Sequence, residues 1–253
     1  MESGTRTVRA FWLGRRDYRA IEQLQERMLK ARQNEAIGDT LLLLEHSPVI
    51  TLGKGAKEEH VLFSKETLNA RDVDLVATTR GGDVTYHGPG QLVGYPIVSL
   101  APDRCDVRRF VGDLIDLMTA LAADYGVSAG IIDEYPGIWV DLESPNSWPG
   151  KDKAKRPAKL GAVGLRISKW VTMHGFAFNA SPDLRGFGLI VPCGIKEFDV
   201  TSLDECVGTK PQPADLARRA AEQFCTGFGA KLESYAEVDA GDDELGQIVG
   251  CGS

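Results

Sequence analysis

Apolar and polar positions alternate along this chain in two rhythms, a period of two that marks strands and a period near 3.6 that marks helices. Residues 8–13 read as a first, edge strand, and Asp17 as the cap of a helix carrying Ile21, Leu24, Met28 and Leu29 on one face. Residues 40–45 are an almost unbroken leucine run, which predicts a strand buried on both faces and ended by His46. Residues 48–52 start another strand, Gly53 and Gly55 around Lys54 mark a turn, and residues 75–79 form a short strand. The clearest helix spans residues 106–125, with Val107, Phe110, Val111, Leu114, Leu117, Met118 and Leu121 in register and Gly126 as its stop. After a strand at 138–142 comes a loop, 143–158, rich in Ser, Pro, Gly and Lys and expected to be exposed and mobile. Residues 160–167 and 170–178 predict a hairpin reversing at Ser168 and Lys169, with Trp170, Thr172, His174, Phe176 and Phe178 sharing one face. Residues 198–203 lead to a last helix with Pro213 in its first turn and Leu216, Ala220 and Phe224 facing the core. Strands with helices between and after them, without strict βαβ alternation, indicate an α+β fold, a mixed β-sheet with helices mainly on one face.

Composition narrows the class. With 253 residues and 43% hydrophobic content the chain can bury a large core, read as a single catalytic domain over residues 1–232 and a frayed acidic tail over 233–253. The balance of 29 Lys+Arg against 36 Asp+Glu disfavours nucleic acid as a partner. Five cysteines without a CxxC pair speak against a disulfide framework and a structural zinc site, so a reducing, cytoplasmic setting is expected. No apolar run is long enough to span a bilayer, and the start shows no signal or transit peptide, so a soluble protein with no membrane partner is expected.

Two stretches carry chemistry. In one, Cys193 stands between Pro192 and Gly194, a pair that presents a thiol at a sharp bend, and Lys159 is read as its charge partner. A buried structural cysteine is the blander reading. Gly161, Ala162 and Gly164, which follow the lysine, leave room for a flat apolar slot. The other stretch, RGGDVTYHGPGQLVGYPI from Arg80, has five glycines, so its backbone must turn tightly or approach something closely, with ordinary hairpin turns as the alternative. It is neither a Walker A loop nor a dinucleotide fingerprint, which disfavours a phosphate cradle.

Together with KLGAVGLRI, HGFAFN, PCGI and LLLLEHSPVITLGK, that glycine-rich stretch resembles the lipoyl(octanoyl) transferases, the LipB family, over residues 8–228. The resemblance implies the fold of biotin protein ligases and lipoate ligases. It also implies octanoyl transfer from acyl carrier protein to a lysine of the lipoyl domains of 2-oxoacid dehydrogenase complexes or of the glycine cleavage H protein. No cofactor is implied. Carried over residue by residue, Cys193 forms the acyl thioester and Lys159 lowers its pKa. The acyl group is lined by Arg80, Gly81, Gly82, Asp83, Val84, Thr85, Tyr86 and His87, by Ala162, Val163 and Gly164, and by Gly175, Phe176 and Ala177. His46 and His174 match family histidines near the pocket. The long basic loop with KDKAKRPAK departs from the family pattern and bears on the rim of the site.

This chemistry needs an activated thiol, because a thiol of pKa about 8.5 is only a few per cent thiolate at neutral pH. An ammonium about 4 Å away contributes roughly 4 kcal/mol at an effective dielectric near 20, enough to lower the thiol by up to about 3 pH units before desolvation subtracts its share. An oxyanion hole would draw on N–H groups near Gly194 or at a turn over residues 159–161. Arg15, Arg16 and Arg19, or Lys151, Lys153, Lys155 and Arg156, are candidates for receiving an acidic carrier, unless they are simply solvated charges. The alternatives are an ATP-dependent lipoate or biotin ligase, a noncatalytic acyl-chain binding protein, and a papain-like hydrolase with His174 as base.

Overall fold

The computed structural model describes residues 5–191 and 198–251. Strands β1 (Arg6–Arg16), β2 (Asp39–His46), β6 (Gln91–Ile97), β7 (Gly137–Asp141), β8 (Pro157–Ser168), β9 (Val171–Asn179), β10 (Asp199–Val200) and β11 (Ala230–Glu237) make one mixed sheet among the described residues. Its order is β10-β8-β9-β6-β2-β1-β11, and β7 pairs with β8 on the edge opposite β10. A smaller sheet, β4-β3-β5, is built from β3 (Val49–Leu52), β4 (Asp74–Ala77) and β5 (Val84–His87).

The leucine run of β2 shows why the large sheet is a central layer. Leu41 and Leu43 enter one buried cluster with α3 (Val107–Ala123) and α5 (Pro213–Phe228), whereas Leu42 and Leu44 enter another with α1 (Tyr18–Gln33). The period-two side-chain alternation of a strand delivers leucines to both faces. Helices therefore cover both faces, not mainly one as the sequence suggested. Two further helices, α2 (Lys65–Asn69) and α4 (Leu203–Val207), are short. Helices α1 and α3 each start at an aspartate: Asp17 accepts from the Ala20 N–H at 2.9 Å and Asp106 from the Arg109 N–H at 3.0 Å.

Three other expectations change. β1 is not an edge strand, because β2 and β11 flank it on both sides. The β8–β9 hairpin reverses at Lys169 and Trp170, with φ of 48° and 62°, so Trp170 sits in the turn and not on the strand face. The predicted frayed tail contains the second half of β11 and a short helix, α6 (Leu245–Ile248), and it buries Leu245, Val249 and Cys251 against the α1 side. Arginines hold the backbone of that segment: Arg16 donates to the carbonyls of Ala240 at 2.7 Å and Val238 at 3.2 Å, and Arg9 to that of Val249 at 2.9 Å.

The long loop before β8 is closed at its base by Asp141, whose carboxylate accepts from the N–H groups of Lys155 and Arg156 at 3.0 Å and of Glu143 at 3.1 Å. Foremost the Lys155 N–H holds that carboxyl below the usual range.

Where β6 and β9 meet, contact is too close for side chains. A Cβ on Gly175 would lie 2.0 Å from the Gly94 carbonyl oxygen, whereas one on Gly164 would meet nothing nearer than 3.4 Å. Gly175→Ala should lower the unfolding free energy by about 1–3 kcal/mol. Gly164→Ala should stay within about 1 kcal/mol of the parent. Urea unfolding of both variants checks the contrast.

Candidate active site

Strand β7 pairs with β8 only as far as Ala162, so the edge beyond is left to a different partner, the glycine-rich loop before β5. Gly81 N–H donates to the Leu165 carbonyl at 2.9 Å. The loop is stapled from its other side, where the N–H groups of Gly53, Lys54 and Gly55 donate to the carbonyls of Asp83, Arg80 and Gly82 at 3.0–3.1 Å. Two glycines make the staple possible. Gly82 has φ +86°, and a Cβ on Gly53 would lie 2.3 Å from the Gly82 oxygen. Arg80 is buried here, its Nη2 donating to the Thr51 carbonyl at 2.8 Å and its Nη1 to the Gly81 carbonyl at 3.0 Å.

Between loop and strand edge lies a cavity of about 450 Å³. Arg80, Gly81, Gly82, Asp83, Val84, Thr85 and His87 line it on one side. Ala162, Val163 and Gly164 of β8, and His174, Gly175, Phe176 and Ala177 of β9, line it on the other. Lys159 also reaches the wall. Tyr86 does not: its ring packs on Gly186 and edge-on to Phe187 at 5.4 Å, in the cluster of the small sheet. Gly161 does not belong to the slot either, since a Cβ there would point at Met118 Sδ, 2.7 Å away in α3.

Three histidines form the polar end. His46 is fully buried behind the wall, its Nδ1–H donating to the Arg16 carbonyl at 3.2 Å and its Nε2 accepting from the Tyr95 hydroxyl at 2.8 Å. His87 Nδ1–H donates to Gln91 Oε1 at 2.6 Å, Gln91 Nε2 to Asn179 Oδ1 at 2.8 Å, and Asn179 Nδ2 to the Thr201 carbonyl at 2.8 Å. This chain fixes the tautomer and leaves His87 Nε2 as the acceptor. His174 has φ +59°, which takes it out of the predicted alternation with Phe176 and Phe178. Its ring meets Tyr95 edge-on at 6.3 Å, and its Nε2 bonds Thr79 Oγ1 at 3.2 Å. Burial foremost lowers the pKa of His46 to about 4 and of His87 and His174 to about 3, with the His46 ring adding to the effect at His87 and the Arg80 charge at His174.

Lys159 sits beside a break in register. Ile138 pairs with Gly161 and Trp139 with Lys159, so Leu160 is an extra residue, buried in the core while Lys159 lines the cavity. Residues 159–161 are therefore strand and not the turn predicted for an oxyanion hole. Cys193 and Gly194 lie outside the described residues. The described flanks of their segment are anchored. Val191 N–H donates to the His60 carbonyl at 2.8 Å, and β10 pairs Val200 with Lys159.

Several lining groups are not legible in the sequence. Val107 and Val111 look like part of the core stripe of α3 but open onto the cavity, and Tyr18, Tyr95 and Tyr135 lie far away in the chain. His60, whose Nδ1 is 2.5 Å from Asp83 Oδ2, ties the anchor of Val191 to the glycine loop. The basic candidates are largely engaged within the chain. Lys151 pairs with Glu134, Lys155 with Glu143, Arg156 with Asp199, and Arg16 holds residues 238–242. Among the described residues no three His, Cys, Asp or Glu side chains gather as metal ligands do, and no helix is long and apolar enough to cross a membrane.

Comparison with known proteins decides the lineage. Residues 17–225 match the lipoyl protein ligase A/B catalytic domain. The chain belongs to that family. Among its relatives is a protein of Myxococcus xanthus named octanoyltransferase, 41% identical over 225 residues, which are 89% of this chain and 60% of that protein. Another octanoyltransferase, of Caldicellulosiruptor saccharolyticus, is 42% identical over 88% of this chain and 89% of its own length. The fold is shared with a bi-partite lipoate protein ligase from Thermoplasma acidophilum, with a TM-score of 0.68 at 11% identity, covering 97% of this chain and 92% of that one.

The buried histidines of this family member give a pH signature. Their folded pKa values lie below the unfolded value near 6.5, so the unfolded state binds more protons as pH falls and stability drops between about pH 6.5 and 3. His46→Asn should flatten that limb by up to about 1.4 kcal/mol per pH unit, measured by urea unfolding at pH 5 and pH 7.

Proposed function

We propose that this chain is an octanoyltransferase of protein lipoylation that works through a thioester on Cys193, with octanoyl-acyl carrier protein as donor and a lipoyl-domain lysine as acceptor. Relatives bearing that name at 41–42% identity support the reaction class. The observation that carries the mechanism is the position of Lys159, on the wall of an apolar-lined cavity and paired through its backbone with Val200, seven residues beyond Cys193.

The steps balance without nucleotide. Cys193 thiolate attacks the carrier thioester carbonyl, a new C–S bond forms, the old one breaks, and the Lys159 ammonium gives its proton to the departing carrier thiolate. The acceptor amine then attacks the Cys193 thioester, an amide C–N bond forms, the Cys193 thiolate leaves, and the proton lost by the amine returns to Lys159. Exchange of one thioester for another is nearly isoenergetic, and conversion to an amide is downhill. The Cys193 and Lys159 pKa values belong to the pair. Small residues at Ala162 and Gly164 leave the acyl chain its slot along β8.

Mixing the protein with octanoyl carrier protein and no nucleotide should give one octanoyl adduct by intact mass. Cys193→Ala should abolish it, and an adduct formed equally well by that variant would refute the thioester. Lys159→Ala should slow alkylation of Cys193 at neutral pH by at least about tenfold. Gly164→Leu should shorten the preferred acyl chain, read as the ratio of kcat/KM for hexanoyl and octanoyl carriers; an unchanged ratio would remove Gly164 from the slot.

A further inference from the structure

Lys159 and Trp139 stand directly opposite each other across the antiparallel β7–β8 ladder, at the register break created by Leu160. Lys159 Nζ lies 5.0 Å from the centroid of the Trp139 ring. The ring is 1% exposed and boxed by two more aromatics. Phe198 meets it at 5.3 Å and 72°, Tyr135 at 6.1 Å, and Tyr135 and Phe198 meet each other at 6.0 Å and 73°. Its indole Nε1–H donates to the Tyr135 carbonyl at 3.1 Å, and its backbone exchanges two hydrogen bonds with Gly130. The indole plane is therefore fixed from every side. Burial alone would be met by an aliphatic residue at 139; what the indole adds is a negative π face presented to an ammonium.

We propose that Trp139 is a positioning residue for the acyl transfer, its indole face holding the Lys159 ammonium in place as the thiolate attacks and again when the proton returns at the end of the second half-reaction, with Tyr135 and Phe198 as the side walls of the box. The proposal rests on the reading of Lys159 as the proton partner of Cys193. Lysine carries its charge on a flexible four-carbon stem, and in this reaction the group beside it changes from carrier thiol to incoming amine. A ring quadrupole attracts the ammonium and has little hold on the neutral amine, so it favours the protonation state in which the thiolate forms. Phe198 and Val200 lie just beyond the segment bearing Cys193, and Val200 pairs with Lys159, so one aromatic box joins the lysine strand to the outgoing end of that segment.

The test reads alkylation of Cys193 by iodoacetamide from pH 5 to 10, by peptide mass, with the exposed Cys105 as internal reference. The full chain is made with its 4 tryptophans replaced by singly and then multiply fluorinated analogues, which keep the shape of the ring and progressively weaken its negative face. Trp139→Phe, Trp139→Leu and Lys159→Ala are measured beside it. The rate at Cys193 at pH 7 should fall in order of fluorination while that at Cys105 stays constant. Trp139→Phe should retain most of the rate, and Trp139→Leu should lose from about threefold to about thirtyfold. A flat fluorination series overturns the proposal whether or not Trp139→Leu folds, as does a Trp139→Leu profile identical to the parent's. Should Lys159→Ala itself leave the profile unchanged, the dyad fails and the proposal with it. A shifted Lys159→Ala profile beside a flat fluorination series removes Trp139 alone.

Discussion

The site depends on one unpaired strand edge. Past Ala162, β8 has no β7 to pair with, and its exposed carbonyls and N–H groups would ordinarily invite another strand. A glycine loop takes the place instead, bonded once to Leu165 and three times to the turn at residues 53–55. A loop held by backbone hydrogen bonds on both sides cannot collapse into the gap beside the strand, and that gap is the cavity. The side chains present there follow from the arrangement. Arg80 is buried because its donors are needed by Thr51 and Gly81, and Gly53 is a glycine because the Gly82 carbonyl lies against it.

Electrostatics at the two ends of the cavity are opposite in kind. Around His46, His87 and His174 burial suppresses positive charge, and the rings of His46 and His87 serve as neutral hydrogen-bonding groups of fixed tautomer. Lys159 instead keeps an aromatic face next to its ammonium. In the proposed acyl transfer the proton chemistry falls at the Lys159 end and the acyl chain along β8.

Much of this was legible in the sequence, and the failures have physical causes. The leucine run, the capped first helix and the glycine loop were readable because period-two burial, an aspartate at a helix start and clustered glycines are local signals. The placement of helices on both faces was implicit in Leu41–Leu44 but depends on which helix packs where, a nonlocal matter. His174 broke its predicted face because a positive φ, unusual for any residue but glycine, reverses a side chain without a trace in the hydrophobic pattern. Tyr86 was carried into the lining by its neighbours in the motif, although alternation along β5 turns it away from Thr85 and His87. Trp139 read only as strand, since its contact with Lys159 comes from a partner twenty residues on and a bulge that no composition reveals.

Arg16 belongs to two structures at once. Its main-chain carbonyl orients the imidazole of His46, while its guanidinium clasps the carbonyls of Val238 and Ala240 and the carboxylate of Asp242. A substitution or cut in that late stretch, remote from the chemistry by any linear measure, is felt first by the peptide unit against which a buried ring is levelled. The last strand and its sequel are thus a brace behind the cavity wall.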